Sequence, residues 1–82
     1  PALTFFGLDT MVFASGDLGG NAEQQYKTLE IKDASRNIYR KAYFLNGRLC
    51  GVVLLGDLSK MRELGTALKE HASFADTAAL LA

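Results

Sequence analysis

The chain has 82 residues, enough for one domain (residues 1–82) with a modest core, since a chain of this size buries only somewhat more than about 60 % of its unfolded surface. Its 9 basic and 9 acidic residues cancel to a formal charge of +0, which leaves no electrostatic footprint for nucleic acid or an anionic membrane. No stretch is long and apolar enough to cross a bilayer, the start PALTFFGLD lacks the basic region and unbroken apolar core of a signal peptide, and Cys50 has no second cysteine to pair with, so an intracellular, cytoplasmic protein is expected. The chain begins at Pro1 without a methionine, as a piece processed or excised from a longer parent would.

In chain order, Leu3 to Ser15 holds Gly7 as a bend followed by a strand, LDTMVFAS. Gly16 to Asn21, GDLGGN, reads as a loop because its Gly and Asx residues supply turn conformations. Gln25 to Lys32 alternates as a half-exposed strand, with Leu29 and Ile31 on one side and Tyr26, Thr28, Glu30 and Lys32 on the other. Asp33 to Asn37 then turns the chain into its dominant feature. Ile38 to Leu55, IYRKAYFLNGRLCGVVLL, is two strand-forming runs joined by Asn46-Gly47, the strongest short-range hairpin signal.

Pairing outward from that turn sets Leu45 against Arg48, Phe44 against Leu49, Tyr43 against Cys50, Ala42 against Gly51, Lys41 against Val52 and Arg40 against Val53. One face then collects Ile38, Arg40, Ala42, Phe44, Leu49, Gly51, Val53 and Leu55; the other collects Tyr39, Lys41, Tyr43, Leu45, Arg48, Cys50, Val52 and Leu54. Both faces carry branched or aromatic residues, so neither is a plain solvent face and something is expected on each side.

After Gly56 the period changes to about 3.6. Asp57 or Ser59 can cap a helix running to about His71 with Leu58, Met61, Leu64, Leu68 and Ala72 as its buried stripe. Gly65 either weakens that helix or allows close approach to the sheet. Ser73 to Asp76 has the form of a capping box for a short last helix through Leu81. The order predicts an α+β fold: an antiparallel sheet of about four strands with one or two C-terminal helices on one face.

Few residues carry chemistry. His71 is the single histidine and lies near a helix C-terminus, where a cation complements the helix dipole; alone it makes neither a metal site nor a triad. Cys50 in mid-strand reads as an inert buried thiol. Asp9, Asp17, Asp33 and Asp57 sit at loop ends in turn or capping roles. GDLGGN could hold an anion on its backbone amides, though such loops are usually only turns, and neither GxGxxG nor a P-loop occurs. No catalytic, cofactor-binding or metal-ligating residue is therefore expected in these 82 residues. Arg36, Arg40 and Lys41 bracket Tyr39, but alternation puts Arg40 and Lys41 on opposite faces, and Glu23, Glu30 and Asp33 lie near enough to neutralise them. Charge inside an apolar strand is costly unless paired, so Arg40 and Lys41 could also pair with carboxylates of another domain.

Taken together, Gly7-Leu8-Asp9, Phe13-Ala14-Ser15-Gly16-Asp17, Tyr39-Arg40-Lys41, Asn46-Gly47, Gly51 and Gly56-Asp57 resemble the C-terminal domain of rubredoxin reductases and of the related NADH-dependent nitrite reductase large subunits. The resemblance covers Leu3 to about Leu68; Ala14 interrupts the family's aromatic-Ser step, and the tail from Phe74 lies outside it. It implies a parent that passes electrons from NADH or NADPH through FAD to rubredoxin or another redox acceptor, with both cofactors held by preceding domains. This chain would then be a catalytically silent accessory domain that packs on the FAD/NAD(P)-binding domains, with Tyr39, Arg40, Lys41 and Tyr43 as its interface. Val12 to Asp17 is also similar to the later FAD motif of these reductases, but that motif opens a helix and here a glycine-rich loop and a strand follow. The competing readings are a stand-alone α+β ligand- or protein-binding domain, suggested by GDLGGN and Tyr26, Tyr39 and Tyr43, and a homodimer through the uncovered sheet face.

Overall fold

In the computed structural model, which describes residues 2–6 and 11–82 and side chains from Met11 on, the chain runs through β1 (Ala2–Phe6), β2 (Met11–Gly16), β3 (Lys27–Asp33), β4 (Ile38–Leu45), β5 (Arg48–Leu55), α1 (Met61–Lys69) and α2 (Phe74–Leu81). All strands pair antiparallel in the order β1-β2-β5-β4-β3. The α+β class and the two C-terminal helices agree with the sequence reading; the sheet has five strands where about four were expected. The bend expected at Gly7 and the strand start at Leu8 fall outside the described residues.

The β4–β5 hairpin turns at Asn46 (φ 55°) and Gly47 (φ 78°), the positive-φ pair a two-residue turn demands. The predicted register holds for Leu45 opposite Arg48 and Phe44 opposite Leu49, and then fails. A β-bulge between Tyr43 and Phe44 leaves Cys50 as the extra residue, so Tyr43 faces Gly51, Ala42 faces Val52, Lys41 faces Val53 and Arg40 faces Leu54. Because side chains alternate with period two, one inserted residue exchanges the two faces of everything beyond it. Val52 and Leu54, both fully buried, therefore join Ala42 and Phe44 on one face, and Gly51, Val53 and Leu55 cross to the face of Tyr39, Lys41 and Tyr43.

The first face carries the core. Phe13, Ala42, Phe44, Leu49, Val52 and Leu54 from the sheet meet Leu64 and Ala67 of α1 and Leu81 of α2. Leu58, Met61 and Leu68 flank α1 partly buried, as the helical spacing predicts. Phe74 stacks on Phe44 with centroids 4.9 Å apart. Each fully buried leucine contributes about 1.5–3 kcal/mol through burial.

The helix ends show what fixes their limits. α1 has no side-chain cap: its N-cap is Lys60, and Asp57 instead accepts from the Ser59 N–H at 2.9 Å, so neither Asp57 nor Ser59 caps it as expected. It closes with Ala72 N–H on the Ala67 carbonyl and His71 N–H on the Leu68 carbonyl, with His71 in the left-handed region (φ 52°), just past the helix rather than in its last turn. α2 starts as the capping signal predicts, with Ser73 Oγ accepting from the Asp76 N–H at 3.2 Å. A Cβ at Gly65 would meet nothing within 4 Å, so that glycine brings α1 no closer to the sheet.

Candidate functional site

The face opposite the helices is a grid of three rows across four strands, because directly opposed residues share a side. Reading from β3 through β4 and β5 to β2, the rows are Thr28-Tyr43-Gly51-Gly16, Glu30-Lys41-Val53-Ala14 and Lys32-Tyr39-Leu55-Val12. Polarity falls steadily across the sheet. The β3 residues are exposed and mostly charged, the β4 residues are amphipathic, and Val53, Leu55, Val12 and Ala14 are apolar and half-buried with no helix above them.

The first row is strapped over by the chain itself. Beyond β2, Asp17 N–H bonds the Cys50 carbonyl at 2.7 Å and the backbone then crosses directly above Gly51. A side chain on Gly51 would overlap the Asp17 carbonyl and press on Leu18 Cδ2, so only glycine fits beneath the strap. Asp17 locks the crossing: Oδ1 accepts from the Gly19 and Gly20 N–H groups at 3.1 and 3.2 Å, and Oδ2 accepts from the Tyr26 hydroxyl at 2.6 Å. The Tyr26 hydroxyl, joined by those amides, holds the Asp17 carboxyl below its ordinary value, and Asp17 in turn pushes Tyr26 up. The Gly19 and Gly20 amides, which could have held an anion, are thus bound to the loop's own carboxylate, as in the plain turn the sequence favours. Tyr26 meets Tyr43 edge-on at 6.4 Å and 88°.

In the other rows Tyr39 donates to Glu30 Oε2 at 2.6 Å, which raises its own ionisation to about 12 and lowers that of Glu30. Lys32 reaches the same carboxylate at 3.7 Å, and Lys41 Nζ lies 5.0 Å from the Tyr43 ring centroid. Tyr39, Lys41 and Tyr43 therefore stand together on the open face, as the sequence indicated.

Arg40 does not join them. It points to the helix side with only 12 % of its side chain exposed, Nη2 donating to Asp57 Oδ2 at 3.1 Å and Nη1 to the Leu81 carbonyl at 2.9 Å. The partner that another domain could have offered is supplied by the chain's own Asp57, and Arg40 braces the end of α2 against the sheet. Arg36 pairs with Asp33 at 2.7 Å in the β3–β4 turn, where the Ser35 hydroxyl and Arg36 bring the Asp33 carboxyl down to about 2. Arg36, Arg40 and Lys41 thus occupy three separate places and make no basic patch.

Cys50 sits in the bulge with Sγ 3.6 Å from the Asp17 carbonyl, and burial pushes its thiol up, away from reactivity. Among the described residues, no three His, Cys, Asp or Glu side chains gather as metal ligands, and no helix is long and apolar enough to cross a membrane. The strap and the bulge were missed from the sequence. A glycine in the middle of an apolar strand was the available signal, since such a residue marks a bulge or a close backbone approach.

The family described as the rubredoxin NAD+ reductase C-terminal domain matches residues 1–72. The assimilatory nitrate reductase electron transfer subunit of Bacillus subtilis (strain 168) is 32 % identical over 71 residues, which are 85 % of this chain and 9 % of that protein. The chain therefore corresponds to a small part of that relative. No solved structure matches. With five strands and α1 inside the matched stretch and α2 beyond it, the chain belongs to the rubredoxin NAD+ reductase C-terminal domain family.

Proposed function

We propose that this chain is the non-catalytic C-terminal domain of a cytoplasmic, FAD-dependent NAD(P)H oxidoreductase of the rubredoxin reductase or nitrite reductase type. Its task is to pack on the flavin domain and help form the surface where a redox acceptor protein docks. The observation that carries this is the open sheet face: Val12, Ala14, Val53 and Leu55 form an apolar area beside Tyr39, Lys41 and Tyr43. Protein interfaces combine an apolar core, enrichment in aromatic residues such as tyrosine and a polar rim. The family's description and the name of the Bacillus relative, an electron transfer subunit, support the redox setting.

FAD and NAD(P)H belong to the preceding domains in this reading. Tyr39, Lys41 and Tyr43 make the interface, and Arg40 serves it indirectly by fixing β4 to α2 from behind. The deciding experiment compares a full-length reductase with one truncated before Pro1. Reduction of a small artificial acceptor by NAD(P)H should persist in the truncated enzyme, while electron transfer to the acceptor protein should fall. Loss of both activities would mean the domain serves the flavin chemistry itself, and retention of both would leave it without the proposed role.

A further inference from the structure

We infer that β5 is a strand with two competing registers, held in the bulged one by two backbone crossings that admit only glycine. Beyond the bulge its residues come in pairs of one kind, Val52-Val53 and Leu54-Leu55. With the bulge, Val52 and Leu54 face the helices while Val53 and Leu55 face away. Without it, every residue after Leu49 moves one place along β4, so that Cys50 stands opposite Tyr43, Gly51 opposite Ala42, Val52 opposite Lys41 and Leu54 opposite Tyr39. Each face then still holds one valine and one leucine. The hydrophobic pattern, which ordinarily decides register because a slip would bury polar residues, does not decide it here.

The Asn46-Gly47 turn favours the regular ladder, because its pairing runs straight into that ladder and a bulge leaves one residue without a ladder partner. The bulged register is therefore selected elsewhere, and the crossings select it. The place opposite Tyr43 lies beneath the Asp17 carbonyl, where any Cβ would overlap backbone; the bulge puts Gly51 there, and the regular ladder would put Cys50. The end of β5 lies against the Asn37 carbonyl, where a Cβ would again overlap backbone; the bulge puts Gly56 there, and the regular ladder would put Leu55. No other register of β5 sets a glycine at both crossings.

Hydrogen bonds fix both crossings in place. Asp17 N–H donates to the Cys50 carbonyl at 2.7 Å, which satisfies a backbone group of the bulged residue, and the Asp17 carboxylate ties the strap to the Tyr26 hydroxyl at 2.6 Å. At the other end Gly56 N–H donates to the Met11 carbonyl at 2.8 Å. Gly56 also adopts φ 81°, a conformation natural to glycine and strained for leucine. The lock has two consequences for the open face. It presents Val53 and Leu55 beside Lys41 and Tyr39, and it keeps the Cys50 thiol in the bulge against the Asp17 carbonyl rather than opposite Tyr43. Both hold whichever partner meets that face.

The test moves both glycines back by one place in the 82-residue chain, as the combined variant Cys50→Gly, Gly51→Cys, Leu55→Gly and Gly56→Leu. Solution NMR contacts between directly opposed residues of β4 and β5 give the register, and far-ultraviolet circular dichroism confirms the fold. Wild type should show Tyr43 against Gly51 and Lys41 against Val53. In the variant only the regular ladder sets a glycine at each crossing, so these contacts should be lost and replaced by Tyr43 against position 50 and Lys41 against Val52. A folded variant that keeps Lys41 against Val53 would overturn the lock. Should the variant not fold, Cys50→Gly with Leu55→Gly decides, because it adds no side chain and lets either register pass both crossings. Contacts of the regular ladder should then appear in at least about a tenth of the molecules, and their absence would overturn the inference equally.

Discussion

Replacing Gly51 with alanine adds a single methyl group at the point where the strap crosses the sheet. That methyl would overlap the Asp17 carbonyl and approach Leu18 Cδ2 to 3.0 Å, so the strap backbone must retreat by about 1 Å. Overpacking of this kind costs about 1–3 kcal/mol. The retreat also endangers the 2.7 Å bond from Asp17 N–H to the Cys50 carbonyl, a further loss of about 0.5–1.5 kcal/mol. Against this, alanine restricts the unfolded chain and returns about 0.4–1 kcal/mol. The net expectation is a destabilisation of about 0.5–4 kcal/mol, with a fall in melting temperature of about 4–8 °C for each kcal/mol. Urea unfolding followed by far-ultraviolet circular dichroism measures the first, and ultraviolet titration of the tyrosines gives an independent reading. With the strap displaced, Tyr26 loses Asp17 and should ionise closer to its ordinary value of about 10. A Gly51→Ala protein within about 0.3 kcal/mol of wild type, with Tyr26 titrating unchanged, would refute the close crossing.

Three other expectations concern separate regions. Arg40→Met should destabilise the fold by about 1–3 kcal/mol and expose α2 to proteolysis, because the Leu81 carbonyl loses its donor; unchanged protease resistance would contradict the brace. Gly65→Ala should stabilise by about 0.5–1 kcal/mol in urea, since the added methyl meets nothing and α1 gains helix propensity; a loss would indicate a contact at that position. Tyr39 should ionise near 12, and Glu30→Gln should bring it down toward about 10. Because its folded value is raised, the contribution of the Tyr39–Glu30 bond is fully present below about 10 and is lost as pH rises through about 12; Asp33, lowered to about 2, shows the reverse, losing its contribution as pH falls toward that value.

How much of this was legible in the residues differs by element. Asn46-Gly47 determined the turn because its backbone requirement is local, and the α1 stripe was readable because Met61, Leu64 and Leu68 follow a period that survives any tertiary detail. The sheet faces were misassigned for a reason equally specific. Counting pairs outward from a turn assumes an unbroken ladder, and the bulge at Cys50 reverses β5 beyond it. Arg40 was grouped with Tyr39, Lys41 and Tyr43 by proximity along the chain, whereas its neighbours in space, Asp57 and Leu81, are 17 and 41 residues away. The strap depends on a pairing between Asp17 and Tyr26 that has no local signature. The family resemblance did better than the register, because it drew on glycine and turn residues whose spacing is indifferent to which face is which.

The most direct test of the docking surface is hydroxyl-radical footprinting of a full-length reductase before and after release of this domain at an engineered site ahead of Pro1. The account predicts that Leu18, Tyr39, Val53 and Leu55 are protected in the intact enzyme and become reactive on release, while Met61, Leu68 and Leu80 on the helix side react equally in both. Equal oxidation of the open face in both states, or protection confined to the helices, would contradict it.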